Sequence, residues 1–89
     1  MKGIITVLGK DQVGIIAKVC TYLSNSGINI LDISQTIIQG YFNMMMIVDL
    51  SAQDKRFEEI VTELDALGTD IGVMIKLQHE DIFNAMHRV

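Results

Sequence analysis

The sequence predicts an α+β domain of βαββαβ order. This is the ferredoxin-like sandwich, a four-stranded antiparallel sheet with two helices on one face, here followed by a short C-terminal helix. Three observations predict it. Four stretches are rich in β-branched and aliphatic residues: 2–8, 29–39, 41–50 and 71–78. Two stretches between them carry apolar residues at helical spacing. Glycines at 9, 14, 27, 40 and 68 punctuate the junctions.

Each element follows from local chemistry. Ile4, Ile5, Val7 and Leu8 make residues 2–8 a strand. Asp11 is placed to cap a helix, because its carboxylate can accept from the free N–H groups of the first turn. Ile16, Val19, Cys20 and Leu23 then form one buried stripe, and Gly27 stops the helix in a left-handed conformation. Strands 29–39 and 41–50 form a hairpin about Gly40. On the later strand Phe42, Met44, Met46, Val48 and Leu50 share a face that should meet the helices. Asp54 can cap a second helix with a stripe of Phe57, Ile60, Val61, Leu64 and Leu67, which Gly68 ends. Strand 71–78 points Ile71, Val73, Ile75 and Leu77 inward. The tail from His79 to about residue 88 carries Ile82, Phe83 and Met86 on one side of a short amphipathic helix. The sheet's other face is left open, with Ile5 or Ile4, Ile37, Met45 and Met74 making it apolar.

Length and composition bound the function. Eighty-nine residues make one domain, burying roughly 60–65% of the extended surface. Hydrophobic residues make up 49% of this short chain, so some must sit on the surface or in an interface, which favours an oligomer. The net charge is −4 and the seven basic residues are scattered, which argues against direct binding to nucleic acid. No apolar run reaches the length of a membrane span, and the N-terminus lacks a signal-peptide layout. With a single cysteine, these features predict a cytoplasmic location.

The stretch Gly9-Lys10-Asp11-Gln12-Val13-Gly14 joins the first strand to the first helix. Backbone N–H groups and the positive end of a helix dipole meet there, an arrangement that favours anionic groups of small molecules. The same glycines also serve turn geometry and close helix–strand packing.

At these residues the chain resembles the ACT domain, a small regulatory module of amino-acid metabolism. The resemblance covers essentially the whole chain and rests on 9–16, on Gly27-Ile28-Asn29-Ile30 and on the hairpin from Ser34-Gln35-Thr36 through Tyr41-Phe42. It is similar to small stand-alone bacterial ACT-domain proteins, and also to the repressor of glycine-cleavage genes, a type that usually carries two such domains. The resemblance implies a ligand site at a homodimer interface, between the first strand–helix loop of one copy and the second strand of another. On this chain the site comprises the backbone of Gly9, Lys10, Gln12, Val13 and Gly14, with Asp11 and Asn29 as side-chain contacts. A capping Asp11 already occupies the helix dipole, so a ligand's amine rather than its carboxylate should face it. Asn29 offers a donor and an acceptor to a zwitterion, or simply serves a helix-to-strand turn. Asp32 lines an interface or faces water at an edge.

Other residue types carry ordinary roles. His79 and His87 are eight residues apart, about 12 Å along a helix, too far to share one metal. Cys20 on the buried stripe is a packed thiol, and Met44-Met45-Met46 fills core and interface. No nucleophile has a base, no carboxylate pair has a site and no phosphate loop occurs, so the reading includes no enzyme, cofactor or metal. The sequence therefore predicts a module that senses an amino acid or similar small metabolite. The alternative is a protein-interaction or transcription-regulatory adaptor that acts through a partner protein without a small ligand.

Overall fold

The computed structural model describes residues 1–10 and 13–81. The elements run β1 (Lys2–Lys10), α1 (Ile15–Asn25), β2 (Asn29–Ile38), β3 (Tyr41–Asp49), α2 (Phe57–Ile71) and β4 (Met74–His79). The four strands form one antiparallel sheet in the order β2-β3-β1-β4. This is the predicted ferredoxin-like α+β arrangement. Most of the expected tail helix (about 79–88) lies outside the described residues.

The core forms where period-two strand faces meet period-3.6 helix stripes. Ile5 and Val7 of β1, Phe42, Met44, Met46 and Val48 of β3, and Ile75 and Leu77 of β4 point to one side. Ile15, Val19 and Leu23 of α1 and Ile60, Leu64 and Ile71 of α2 close over them. Ile5 is therefore a helix-side residue, and Ile4 is the one on the open face. Ile37 also faces the helix side, because it pairs with Phe42, yet it remains exposed. It lies along the outer edge of the sheet, where α1 does not cover it. Met45 and Met74 stand exposed on the open face, as expected.

Helix boundaries correct the sequence reading at four places. The N-cap of α1 is Gly14, with φ 92°, and no side chain caps it. Asp11, three positions earlier, is therefore not the cap residue; its own placement lies outside the described residues. The stripe of α1 is Ile15-Val19-Leu23, with Cys20 half-buried and Ile16 exposed, because the helix starts one residue earlier than its apolar pattern suggests. The N-cap of α2 is Arg56, also without a side-chain cap, and not Asp54. Gly68 does not end α2. The helix continues to Ile71 and stops at Gly72, φ 79°, so Ile71 and Val73 precede β4 instead of opening it.

Gly27 does end α1 as expected. The Ile28 N–H donates to the Leu23 carbonyl at 2.9 Å and the Gly27 N–H to the Ser24 carbonyl at 3.2 Å. With Gly27 at φ 73°, this is a Schellman motif whose apolar partners, Leu23 and Ile28, are both in the core.

Candidate functional site

The structure separates the predicted site residues into three groups. Gly9 and Lys10 belong to β1 and pair with Phe42 and Tyr41, so the strand runs two residues further than the sequence suggests. A Cβ on Gly9 would lie 2.8 Å from Cγ1 of Val73 and 3.2 Å from its Cα. That close approach by itself accounts for glycine at this position. Val13 is fully exposed and Gly14 holds the left-handed turn into α1. A Cβ at Gly14 would meet nothing within 4 Å, so no close packing demands glycine here and its left-handed φ is the reason for it. Among the described residues, no side chain occupies the N–H groups of that first turn. Asp11 and Gln12 lie outside the described residues.

Asn29 stands apart. It pairs with Asp49, which pairs with Lys2 at the beginning of β1, whereas Lys10 closes the other end of that strand. Eight residues of strand separate the two rows, about 27 Å at the usual rise. Asn29 cannot reach the β1–α1 loop of its own chain. Asp32 faces water on edge strand β2, beside a bulge at Leu31. Its carboxylate accepts the Ile33 N–H at 2.8 Å, a donor available where the ladder slips.

Two further features escaped the sequence reading. A groove of about 400 Å³ runs along free edge strand β4 beside α2, lined by Val61, Thr62, Asp65, Met74 and Lys76 among others. It is open to solvent and includes none of the loop residues. A polar cluster joins the two helices: the Tyr22 hydroxyl donates to Glu63 Oε1 at 2.7 Å, and Lys55 Nζ binds the same oxygen at 2.7 Å. The Lys55 ammonium also lies 5.9 Å from the Tyr22 ring centroid. Partial burial, reinforced by the Glu63 carboxylate, pushes the Tyr22 phenol up to about 12. Lys55 holds the Glu63 carboxyl below its usual range. Nothing in the spacing of these residues announces the cluster, because its members come from two helices and a loop. It ties α1 to α2. Among the described residues, no group of three or more His, Cys, Asp or Glu is placed to hold a metal.

The strand order, the helices on one face and the glycine-bounded β1–α1 junction match a known pattern. A family profile described as the ACT domain matches residues 3–78. The chain belongs to the ACT domain family. A UPF0237 protein of Bifidobacterium longum is 64% identical over 88 residues, 99% of this chain and 98% of its own. A solved ACT domain protein from Streptococcus pneumoniae matches with a TM-score of 0.83 at 43% identity, over 93% of each chain. The ligand-free regulatory subunit of aspartate kinase from Thermus thermophilus matches with a TM-score of 0.67 at 27% identity, over 86% of this chain and 50% of that one. No helix among the described residues is long and apolar enough to cross a membrane.

Proposed function

We propose that this ACT domain works as a homodimeric regulatory module in the cytoplasm. It binds an amino acid or similar small metabolite between the β1–α1 loop of one copy and β2 of another. The observation that carries this reading is the start of α1: a left-handed Gly14, an exposed Val13 and no side-chain cap among the described residues. A ligand carboxylate at such a start gains about 0.3–1 kcal/mol from the helix dipole, besides its hydrogen bonds. Lys10, exposed at the end of β1, adds positive charge nearby. Because Gly14 and not Asp11 is the cap residue, the first-turn N–H groups are offered to the carboxylate of a zwitterion. Its amine is then left for Asp11 and for Asn29 of a second copy.

A second copy is needed because Asn29 is about 27 Å from its own loop. Edge strand β2 offers the place for one. It pairs only with β3, and residues 31–38 are exposed, including Ile33, Ile37 and Ile38. An antiparallel pairing of two such edges carries Asn29 of one copy toward the loop end of the other. Ligand binding at that interface would favour one arrangement of the pair and so alter a partner's activity. The aspartate kinase regulatory subunit, a regulator by its name, supports a regulatory rather than a catalytic role.

The test is a thermal-shift panel of the standard amino acids on a preparation of known oligomeric state. At a hundredfold excess over the dissociation constant, a bound ligand adds about 2.7 kcal/mol and raises the midpoint accordingly. No shift with any of them at millimolar concentration overturns the ligand reading. Capture of one constant protein partner, unaffected by metabolites, would then favour the adaptor alternative.

A further inference from the structure

β4 is the second free edge of the sheet. It pairs only with β1, and its 6 residues, Met74–His79, span about 20 Å. Such an edge presents a row of unused main-chain donors and acceptors. The groove of about 400 Å³ runs between this edge and α2. Ile75 and Leu77 are buried toward the helices, while Met74 and Lys76 are exposed on the other side of the strand.

The charges beside this edge are unevenly satisfied. On α2, Glu59 and Glu63 are paired with Arg56 and Lys55. Glu58, Thr62 and Asp65 follow one another at i, i+4 and i+7 and so share one row of the helix, and Thr62 and Asp65 line the groove. The Thr62 hydroxyl donates to the Glu58 carbonyl at 3.0 Å and neutralises neither acid. Both carboxylates belong to exposed residues, and among the described residues neither has an ion-pair partner. Lys76 has none there either. The edge therefore carries negative charge on its helix side and positive charge on its open side.

These charges select the occupant. A second copy of this chain fits poorly. Antiparallel pairing of two β4 edges in full overlap, Met74 opposite Gln78, sets Lys76 opposite Lys76. It also brings the Asp65 row of one α2 toward that of the other, and like charges so placed repel. A segment of reciprocal charge meets neither objection.

We propose that β4 accepts an extended segment of a partner protein as a fifth strand. On the helix side the segment is apolar apart from a lysine or arginine that reaches Asp65. On the open side it places an acidic residue beside Lys76. Main-chain hydrogen bonds supply the affinity and the alternating side chains the selectivity. This docking edge is independent of whatever the β1–α1 loop binds, and pairing through β2 leaves it free.

The experiment measures binding of fluorescein-labelled eight-residue peptides to the full-length chain by anisotropy. One peptide carries arginine among helix-side valines and glutamate among open-side threonines; the control exchanges the arginine and the glutamate. The valine–threonine alternation fixes which face meets the helices. The first peptide is expected to bind severalfold more tightly than the control, and the double variant Asp65→Lys, Lys76→Glu, altered only at exposed positions, to reverse that preference. N-methylation of alternate peptide nitrogens should abolish binding for one set and spare it for the other, because an added strand bonds to one edge only. No binding of either peptide at millimolar concentration, equal binding of the two, an unchanged preference in the double variant, or equal tolerance of both methylation sets overturns the proposal.

Discussion

Gly68→Ala probes the junction between α2 and β4. In an exposed helix interior the change should stabilise, by about 1 kcal/mol. Here an added Cβ would sit 2.6 Å from the Val73 carbonyl oxygen, 3.2 Å from Cγ1 of Ile75 and 3.3 Å from its nitrogen. Two of the three obstructing atoms are backbone, so no rotamer change relieves them. The helix and strand must separate by several tenths of an ångström. That movement stretches the Val73 N–H to Gly68 carbonyl bond, now 2.8 Å, which closes the same junction. Overpacking of this kind is worth about 1–3 kcal/mol, and a weakened hydrogen bond adds up to about 1 kcal/mol. Set against the gain in helix propensity, the net loss is about 2 kcal/mol. For a domain of this size that lowers the unfolding midpoint by roughly 10 °C. Calorimetry or thermal circular dichroism reads it directly. An unchanged or higher midpoint would refute the close approach and return Gly68 to an ordinary helix position. Gly72→Ala is the companion variant, losing about 1–2 kcal/mol through its left-handed φ of 79° rather than through contact.

Three further outcomes follow from the same geometry. Tyr22→Phe removes the hydroxyl that joins α1 to Glu63 and should destabilise by about 1 kcal/mol in denaturant titration. Because the folded Tyr22 phenol is raised to about 12, its contribution is present below the unfolded value near 10 and is lost as pH rises through 12. Absorbance titration should show one tyrosine ionising late, and the alkaline fall in stability should shrink in the Phe variant. Leu64→Ala, at a fully buried position on the core stripe of α2, should lose about 2–5 kcal/mol, and loss of less than 1 kcal/mol would contradict the packing described. Ile37→Lys, at a 59% exposed position on edge strand β2, should leave the monomer's stability within about 0.5 kcal/mol. It should nevertheless weaken self-association measured by light scattering, and an unaffected dimer would exclude that edge as the interface.

Much of the fold was legible because its signals are local. Alternation along β3 announced which of its residues meet the helices, and the pattern Leu23, Gly27, Ile28 announced a helix stop that a Schellman motif then supplies. The helix starts were less legible. Aspartate at 11 and at 54 has the right chemistry for a cap, but the caps fall at Gly14 and Arg56. Propensity says that a residue can cap; where the chain actually turns into the core decides whether it does. Of the candidate site, Gly14 holds the left-handed turn into α1, whereas Gly9 accommodates Val73, a contact from sixty-four residues further along.

The sequence by itself determined the order of elements, the faces of β3 and the family resemblance, because periodicity and residue chemistry act over a few neighbours. Only the tertiary structure decided that Asn29 lies at the opposite end of the sheet from the β1–α1 loop and that Ile37 shares the helix side without being covered. These facts depend on strand order and register, and on how far α1 reaches across the sheet. Each is set by contacts between segments distant in sequence, where hydrophobic burial summed over the whole core selects among local alternatives that differ by a kcal/mol or two.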